Sequence, residues 1–204
     1  MFGIKYIAGL DLGQQQDYSV LSILELIIMD DLTPKYILRD IKRYPLKTDY
    51  MHIVLDVSSI LNREELLSKS VFVMDYSGVG TPIYDLFKIN MSNTYPIGVS
   101  IAGGNNTHWR TRSNAIVAKK DIVSTFQVVI QNKRLIIPYN LSLIREVEKE
   151  FLNFKAKLTK TASVIFEAKG SIYHDDIVMS IGVALWYSEY INKKGKRLRM
   201  VGGL

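Results

Sequence analysis

Three strand-like runs follow one another before any helical period appears, and that order limits the folds open to this chain. Ile4 to Leu12 is apolar and rich in strand formers. Tyr18 to Met29 is a second, longer run, and Lys35 to Tyr44 a third with alternating charge. The links between them, Leu12-Gly13-Gln14-Gln15-Gln16-Asp17 and Asp30-Asp31-Leu32-Thr33-Pro34, have turn residues. Links this short join antiparallel neighbours, whereas a parallel pair needs a long crossover. The three runs are therefore expected to form an antiparallel meander.

Beyond the meander the period changes. Asp49 to Leu61 suits a helix, and Val71 to Asp75 is a short apolar strand ending in Asp75-Tyr76-Ser77-Gly78-Val79-Gly80. A helix over about Pro82 to Phe87 and a strand over Tyr95 to Ser100 should follow. Ile101 to Arg112, with Gly103-Gly104-Asn105-Asn106, reads as a mobile loop. Asn114 to Gln131 is expected to be a helix, and Ile144, Val147, Phe151 and Phe154 lie at helical spacing in another. Ala162 to Ala168 reads as a strand. Asp175 to Ile191 reads as a long, largely apolar helix that should be well buried. A meander feeding alternating β and α elements predicts an α/β fold, with a mixed central sheet and helices on its faces.

The length of 204 residues gives one sizeable domain, expected over residues 1–192, with 193–204 as a basic, Gly-containing flexible tail. A hydrophobic fraction of 48% supports a full core. The net charge of +6 permits nucleic-acid binding without requiring it. The absence of cysteine excludes disulfides, zinc-thiolate sites and cysteine nucleophiles. No leader is evident, and the apolar runs stop short of the roughly 20 residues of a membrane helix.

The aspartates stand in unusual places. Asp11 nears the end of an apolar strand, where alternation puts it on one face with Gly9 and Ile7, opposite Ala8 and Leu10. Asp75 closes a second apolar strand before a glycine-rich turn. Open sheets bind ligands at the carboxyl ends of strands. Asp175 and Asp176 open the last helix, where its dipole favours negative charge. Each has an ordinary reading: a turn residue for Asp11, an N-cap for Asp175. Together they form a hard-oxygen donor set from separate elements, suited to magnesium or manganese. Two such ions are able to activate water and stabilise a leaving oxygen in phosphodiester cleavage.

Further motifs bring a family into view. Gly9-Leu10-Asp11-Leu12-Gly13 with Asp17-Tyr18-Ser19, and Val73-Met74-Asp75-Tyr76-Ser77-Gly78-Val79-Gly80 with Asp85-Leu86, resemble segments of the C-terminal nuclease domain of phage large terminase subunits. Lys119-Lys120-Asp121-Ile122-Val123 through Arg134-Leu135-Ile136-Ile137-Pro138, Glu146 to Phe154, and His174-Asp175-Asp176-Ile177-Val178 match in the same order. The resemblance spans nearly all of residues 3–190. It implies a ribonuclease H-like fold and metal-dependent cleavage of concatemeric double-stranded DNA during genome packaging, in the cytoplasm of an infected host cell.

By that resemblance Asp11, Asp75 and one or both of Asp175 and Asp176 hold Mg2+ or Mn2+, as two ions, with Asp176 favoured as the direct ligand. Asp17 is an auxiliary candidate or a plain hairpin residue. Lys119, Lys120, Arg110 and Arg112 are candidate DNA-phosphate contacts or a solvated charged face. His174 is a candidate ligand-orienting group or a polar residue before the helix. Large terminases also carry a packaging ATPase and work with a small terminase and a portal. This chain has no Gly-x-x-x-x-Gly-Lys-Ser/Thr loop. It is therefore expected to be a nuclease domain without ATPase activity. The rival readings are a Holliday-junction resolvase of the same fold and a non-catalytic DNA-binding or assembly module.

Overall fold

Among the described residues, strand β1 (Tyr6–Asp11) lies in the middle of an eight-stranded mixed sheet. The structure, a computed structural model, describes residues 4–14, 16–30, 32–91, 94–104, 106–160 and 175–201, with side chains of 155–160 and 195–201 left out. On one flank of β1 lies β2 (Val20–Ile28), antiparallel to it, followed by β3 (Pro34–Arg43), antiparallel to β2. This is the expected meander. On the other flank β4 (Ser70–Asp75), β5 (Ile97–Ala102) and β7 (Asn114–Ala118) run parallel to β1. Two short edge strands complete the order β6-β7-β5-β4-β1-β2-β3-β8. They are β6 (His108–Trp109), antiparallel to β7, and β8 (Leu135–Ile136), parallel to β3.

Strand alternation sorts the core into two layers. Ala8, Leu10, Leu21, Ile23, Phe72 and Met74 face helices α1 (Tyr50–Leu61) and α2 (Thr81–Asn90). Ile7, Val20, Leu24, Val73 and Val99 face α3 (Lys119–Gln131), α4 (Ile144–Lys160) and α5 (Asp176–Val201). A bulge between Ile23 and Leu24 in the β2–β3 pairing sets Leu38 and Asp40 opposite them and leaves Arg39 over. One extra residue shifts the parity of the strand. Tyr36 and Leu38 before it therefore share a core layer with Ile41 after it.

Helix α5 crosses β1, β2 and β4 and is buried on nearly every side from Asp176 to Trp186. Gly182 lets α3 come close to α5, since a Cβ there would lie 2.8 Å from Ile122 Cγ2. Gly9 permits the approach to β1, since a Cβ there would lie 2.0 Å from the Ser180 carbonyl oxygen. At Gly9 the backbone of the strand packs directly against the backbone of the helix at Ser180.

Three expectations need correction. Asn114–Ala118 is a strand, and the helix begins only at Lys119. Tertiary pairing beside β5 overrides the helical reading, and Ala115 and Val117 are fully buried there. The expected loop at Ile101–Arg112 holds the end of β5 and all of β6, with Trp109 stacked against Trp186 of α5 at 6.1 Å. The last helix, expected to end at Ile191, runs on to Val201. The expected strand at Ala162–Ala168 and His174 lie outside the described residues.

Candidate metal centre

The parallel pairing of β1 with β4 sets Asp11 directly beside Asp75, the last residue of each strand. Both follow core residues of the α5 layer at two-residue spacing, Ile7 and Gly9 before Asp11, Val71 and Val73 before Asp75. Both carboxylates therefore point to the side where α5 begins. Asp176, the first residue of α5, is 6% exposed. Its Oδ2 accepts the Tyr18 N–H at 3.2 Å, which ties the helix start to the β1–β2 link. Asp175 stands just outside the helix, and its carbonyl accepts the Met179 N–H at 2.8 Å. Four carboxylates, from two strands, the first residue of one helix and the residue before it, thus gather at one end of the sheet.

Repulsion among them is visible in the proton affinity of Asp11. Burial pushes the Asp11 carboxyl well above the usual carboxylate range, and the charges of Asp75, Asp176 and Asp175 add to that. Lys119 opposes it. The Asp75 carboxyl is also raised by burial, against the pull of the Ser77 hydroxyl and N–H and of Lys119. Ser77 donates both to Asp75 Oδ1, at 2.5 Å from the hydroxyl and 2.8 Å from the N–H. Its hydroxyl oxygen in turn accepts the Ile101 N–H at 2.5 Å. The turn after β4 therefore clamps Asp75 to the end of β5.

All donors in this set are hard oxygens, which fits Mg2+ or Mn2+ and does not fit a soft metal. Among the described residues no three acidic side chains close into a finished cage. Neighbouring carboxylates repel one another, and a divalent cation held between them would offset that repulsion.

The candidate residues from the sequence divide in space. Asp11, Asp75, Asp175 and Asp176 converge, and Lys119, the first residue of α3, acts on both Asp11 and Asp75. Lys120 is exposed on the first turn of α3. Arg110 and Arg112 lie in the exposed turn at the other end of β7, roughly 15 Å of strand from Lys119. Asp17 is exposed and lines a cleft of about 480 Å³ with Lys47, Thr48, Asp49 and Tyr50 at the start of α1.

Three contributors escaped the sequence reading. Ser77 had a signal, since an Asp-x-Ser turn places a serine donor on the aspartate two residues back. Arg43 stacks over the Tyr18 ring at 4.5 Å and faces Glu146 at 3.9 Å. It pairs with Val20, the partner of Asp11, so it stands in the same cross-sheet row. Glu150 of α4 is 7% exposed, and its Oε2 accepts the Ile177 N–H at 2.9 Å. Burial pushes its carboxyl up to about 7, with the Asp176 charge adding and the Ile177 and Val178 N–H groups opposing. Nothing in the local sequence of a polar helix marks one glutamate as the cap of another helix.

No family model matches the chain. It is 24% identical over 201 residues to the large terminase subunit of Thermus virus P23-45, a match covering 96% of this chain and 34% of that protein. The chain thus spans about a third of the length of that relative. Its fold matches the large terminase nuclease of thermophilic phage G20c with a TM-score of 0.55 at 20% identity, over 88% of this chain and 80% of that one. It matches the nuclease domain of the bacteriophage SPP1 large terminase, solved with bound Mn, with a TM-score of 0.56 at 9% identity, over 92% and 88%.

Proposed function

We propose that this chain, a relative of the large terminase subunits with the fold of their nuclease domains, is a divalent-metal-dependent endonuclease acting on double-stranded DNA. The observation that carries the reading is the side-by-side register of Asp11 and Asp75 beneath the helix start that bears Asp176. Sheet and helix each deliver acidic groups to one point, at a desolvation penalty that a fold without a ligand there has no reason to bear.

Asp11, Asp75 and Asp176 are the proposed ligands of Mg2+ or Mn2+. Asp175 stands beside them, and Asp17 is an auxiliary candidate at the neighbouring cleft. When bound, a pair of such ions supplies an activated water and charge stabilisation for the leaving oxygen. The protein's own residues do the rest. Ser77 fixes the rotamer of Asp75 through two hydrogen bonds. The Tyr18 N–H and the burial of α5 hold Asp176 in place. Lys119 offers a cation beside the carboxylates that suits a backbone phosphate, and Lys120 and the more distant Arg110 and Arg112 extend a basic surface for DNA. In a packaging system the natural partners are an ATPase domain, a small terminase and a portal, and the setting is the host cytoplasm.

Plasmid digestion tests this reading. Wild-type protein is expected to cut supercoiled DNA with Mn2+ or Mg2+ and to stop in chelator. Asp75→Ala should lower the rate by more than the roughly 100-fold that loss of an outer partner of a metal ligand brings. Undiminished cutting by Asp75→Ala removes that residue from the site. Cutting confined to four-way junctions, in symmetric pairs, overturns the proposed substrate.

A further inference from the structure

We infer that Glu150 is a positioning residue for the carboxylate centre, acting as a cap supplied by α4 to the first turn of α5. This rests on the metal-dependent reading above and adds a residue to it. The case begins with the free N–H groups of a helix start. The first four have no partner within the helix, and a buried start needs acceptors from elsewhere. In α5 the start is buried, with Ile177 and Val178 at 0% and 1% exposure. Water does not reach those amides. The Glu150 carboxylate does: Oε2 lies 2.9 Å from the Ile177 nitrogen, and the Val178 N–H also bonds to the carboxylate.

The contact is long-range, 27 residues in sequence, and joins two helices. It immobilises the residue directly after Asp176. The rotation of the first turn about the α5 axis, and with it the direction of the Asp176 side chain, is fixed from both sides. Tyr18 holds the carboxylate itself, and Glu150 holds the backbone behind it. The choice of a glutamate is costly, because it buries a second negative charge near Asp176. An apolar residue would pack there without that repulsion but would leave two buried N–H groups unsatisfied. Bearing this cost is understandable where the orientation of the helix start matters to the neighbouring ligand. Outer partners of this kind typically change metal affinity by about 10- to 100-fold when removed.

The test uses two variants and two readouts. Hydrogen exchange of the Ile177 and Val178 amides is measured on the metal-free protein, and Mn2+ affinity is measured by calorimetry. Glu150→Ala is expected to speed exchange of those amides by about tenfold or more and to weaken Mn2+ binding by about tenfold. Glu150→Gln keeps an acceptor oxygen and is expected to restore both to within about threefold. Faster exchange in Glu150→Ala with unchanged Mn2+ affinity reduces Glu150 to a structural cap and overturns the inference. So does a folded Glu150→Gln that behaves like the alanine variant, since hydrogen-bond acceptance would then not be what acts. Should the wild type bind no Mn2+, the metal reading fails, and this inference falls with it whatever the exchange data show. The exchange arm needs no metal, so the two failures are told apart.

Discussion

At the residue scale the centre is a set of charges held against their own repulsion. Asp11 is the extreme case, with burial and three neighbouring carboxylates all raising its proton affinity. Removing its charge should relieve the metal-free fold while destroying the site, a common conflict between stability and function. Metal-free Asp11→Asn is therefore expected to melt roughly 2–4 °C above wild type, the effect of about 1 kcal/mol in a domain of this size. It should also lack the upward shift expected of the wild type on adding Mn2+. Thermal melts with Mn2+ and with chelator check both parts. Glu150 gives a pH dependence with a definite sign. Its carboxyl rises from an ordinary 4.5 to about 7 in the folded chain. The folded state thus binds more protons than the unfolded state between those values, so stability falls as pH rises through the window. In chelator, wild type should lose more melting temperature between pH 5 and pH 8 than Glu150→Gln does. Equal slopes would show that Glu150 is not desolvated in solution. Of this centre, the aspartates were legible in the sequence because strand-end and helix-start positions rarely need buried charge. Glu150 and Arg43 were not, since their partners are set by which helix packs on which strand.

At the scale of elements, α5 decides whether the carboxylates meet. Its first turn carries Asp176, and its middle rests on β1 with no Cβ between them at Gly9. Gly9→Ala drives a methyl into the Ser180 carbonyl, a backbone atom that only moves if the helix moves. The expected loss is about 1–3 kcal/mol, the usual range for overpacking, together with weaker Mn2+ binding because Asp176 is displaced. Gly103→Ala, where nothing lies within 4 Å, is the control and should change neither. Denaturant melts and Mn2+ titration of the two variants separate a packing effect from a general glycine effect. The strand β7 shows the limit of local reading. Asn114–Ala118 carries no signal strong enough to oppose the helix that follows it, and only pairing with β5 makes it a strand. The two-residue strands β6 and β8 are likewise products of neighbouring edges.

At the scale of the whole molecule the two ends of the sheet have separate duties. The carboxylates sit at the end of β1 and β4. At the other end Arg134 donates to Glu189 at 2.5 Å and to the Pro34 carbonyl at 3.0 Å, and Tyr36 donates to Glu189 at 2.7 Å. Pro34 begins and Arg43 ends a ten-residue strand, so this lock lies roughly 30 Å from the row that contains Asp11. Arg134→Met strands a nearly buried Glu189 charge and should cost about 3–5 kcal/mol, much of it returned by adding Glu189→Gln. Cleavage per folded molecule is expected to stay at the wild-type rate, which plasmid digestion below the melting transition checks. A lost rate would mean that the two ends are coupled. The sequence by itself determined the meander, the change of period after it, the faces of β1 and β4, and which aspartates stand where a charge is hard to bury. Those are consequences of short-range geometry: period two along a strand, short turns between antiparallel neighbours, and the helix dipole. Only the tertiary structure decided that β4 lies in register with β1, that Asp176 comes near Asp11, and that a glutamate from α4 caps the helix that bears Asp176. Those contacts join residues far apart in the chain. Their energies depend on the packing of whole elements, which no local pattern contains.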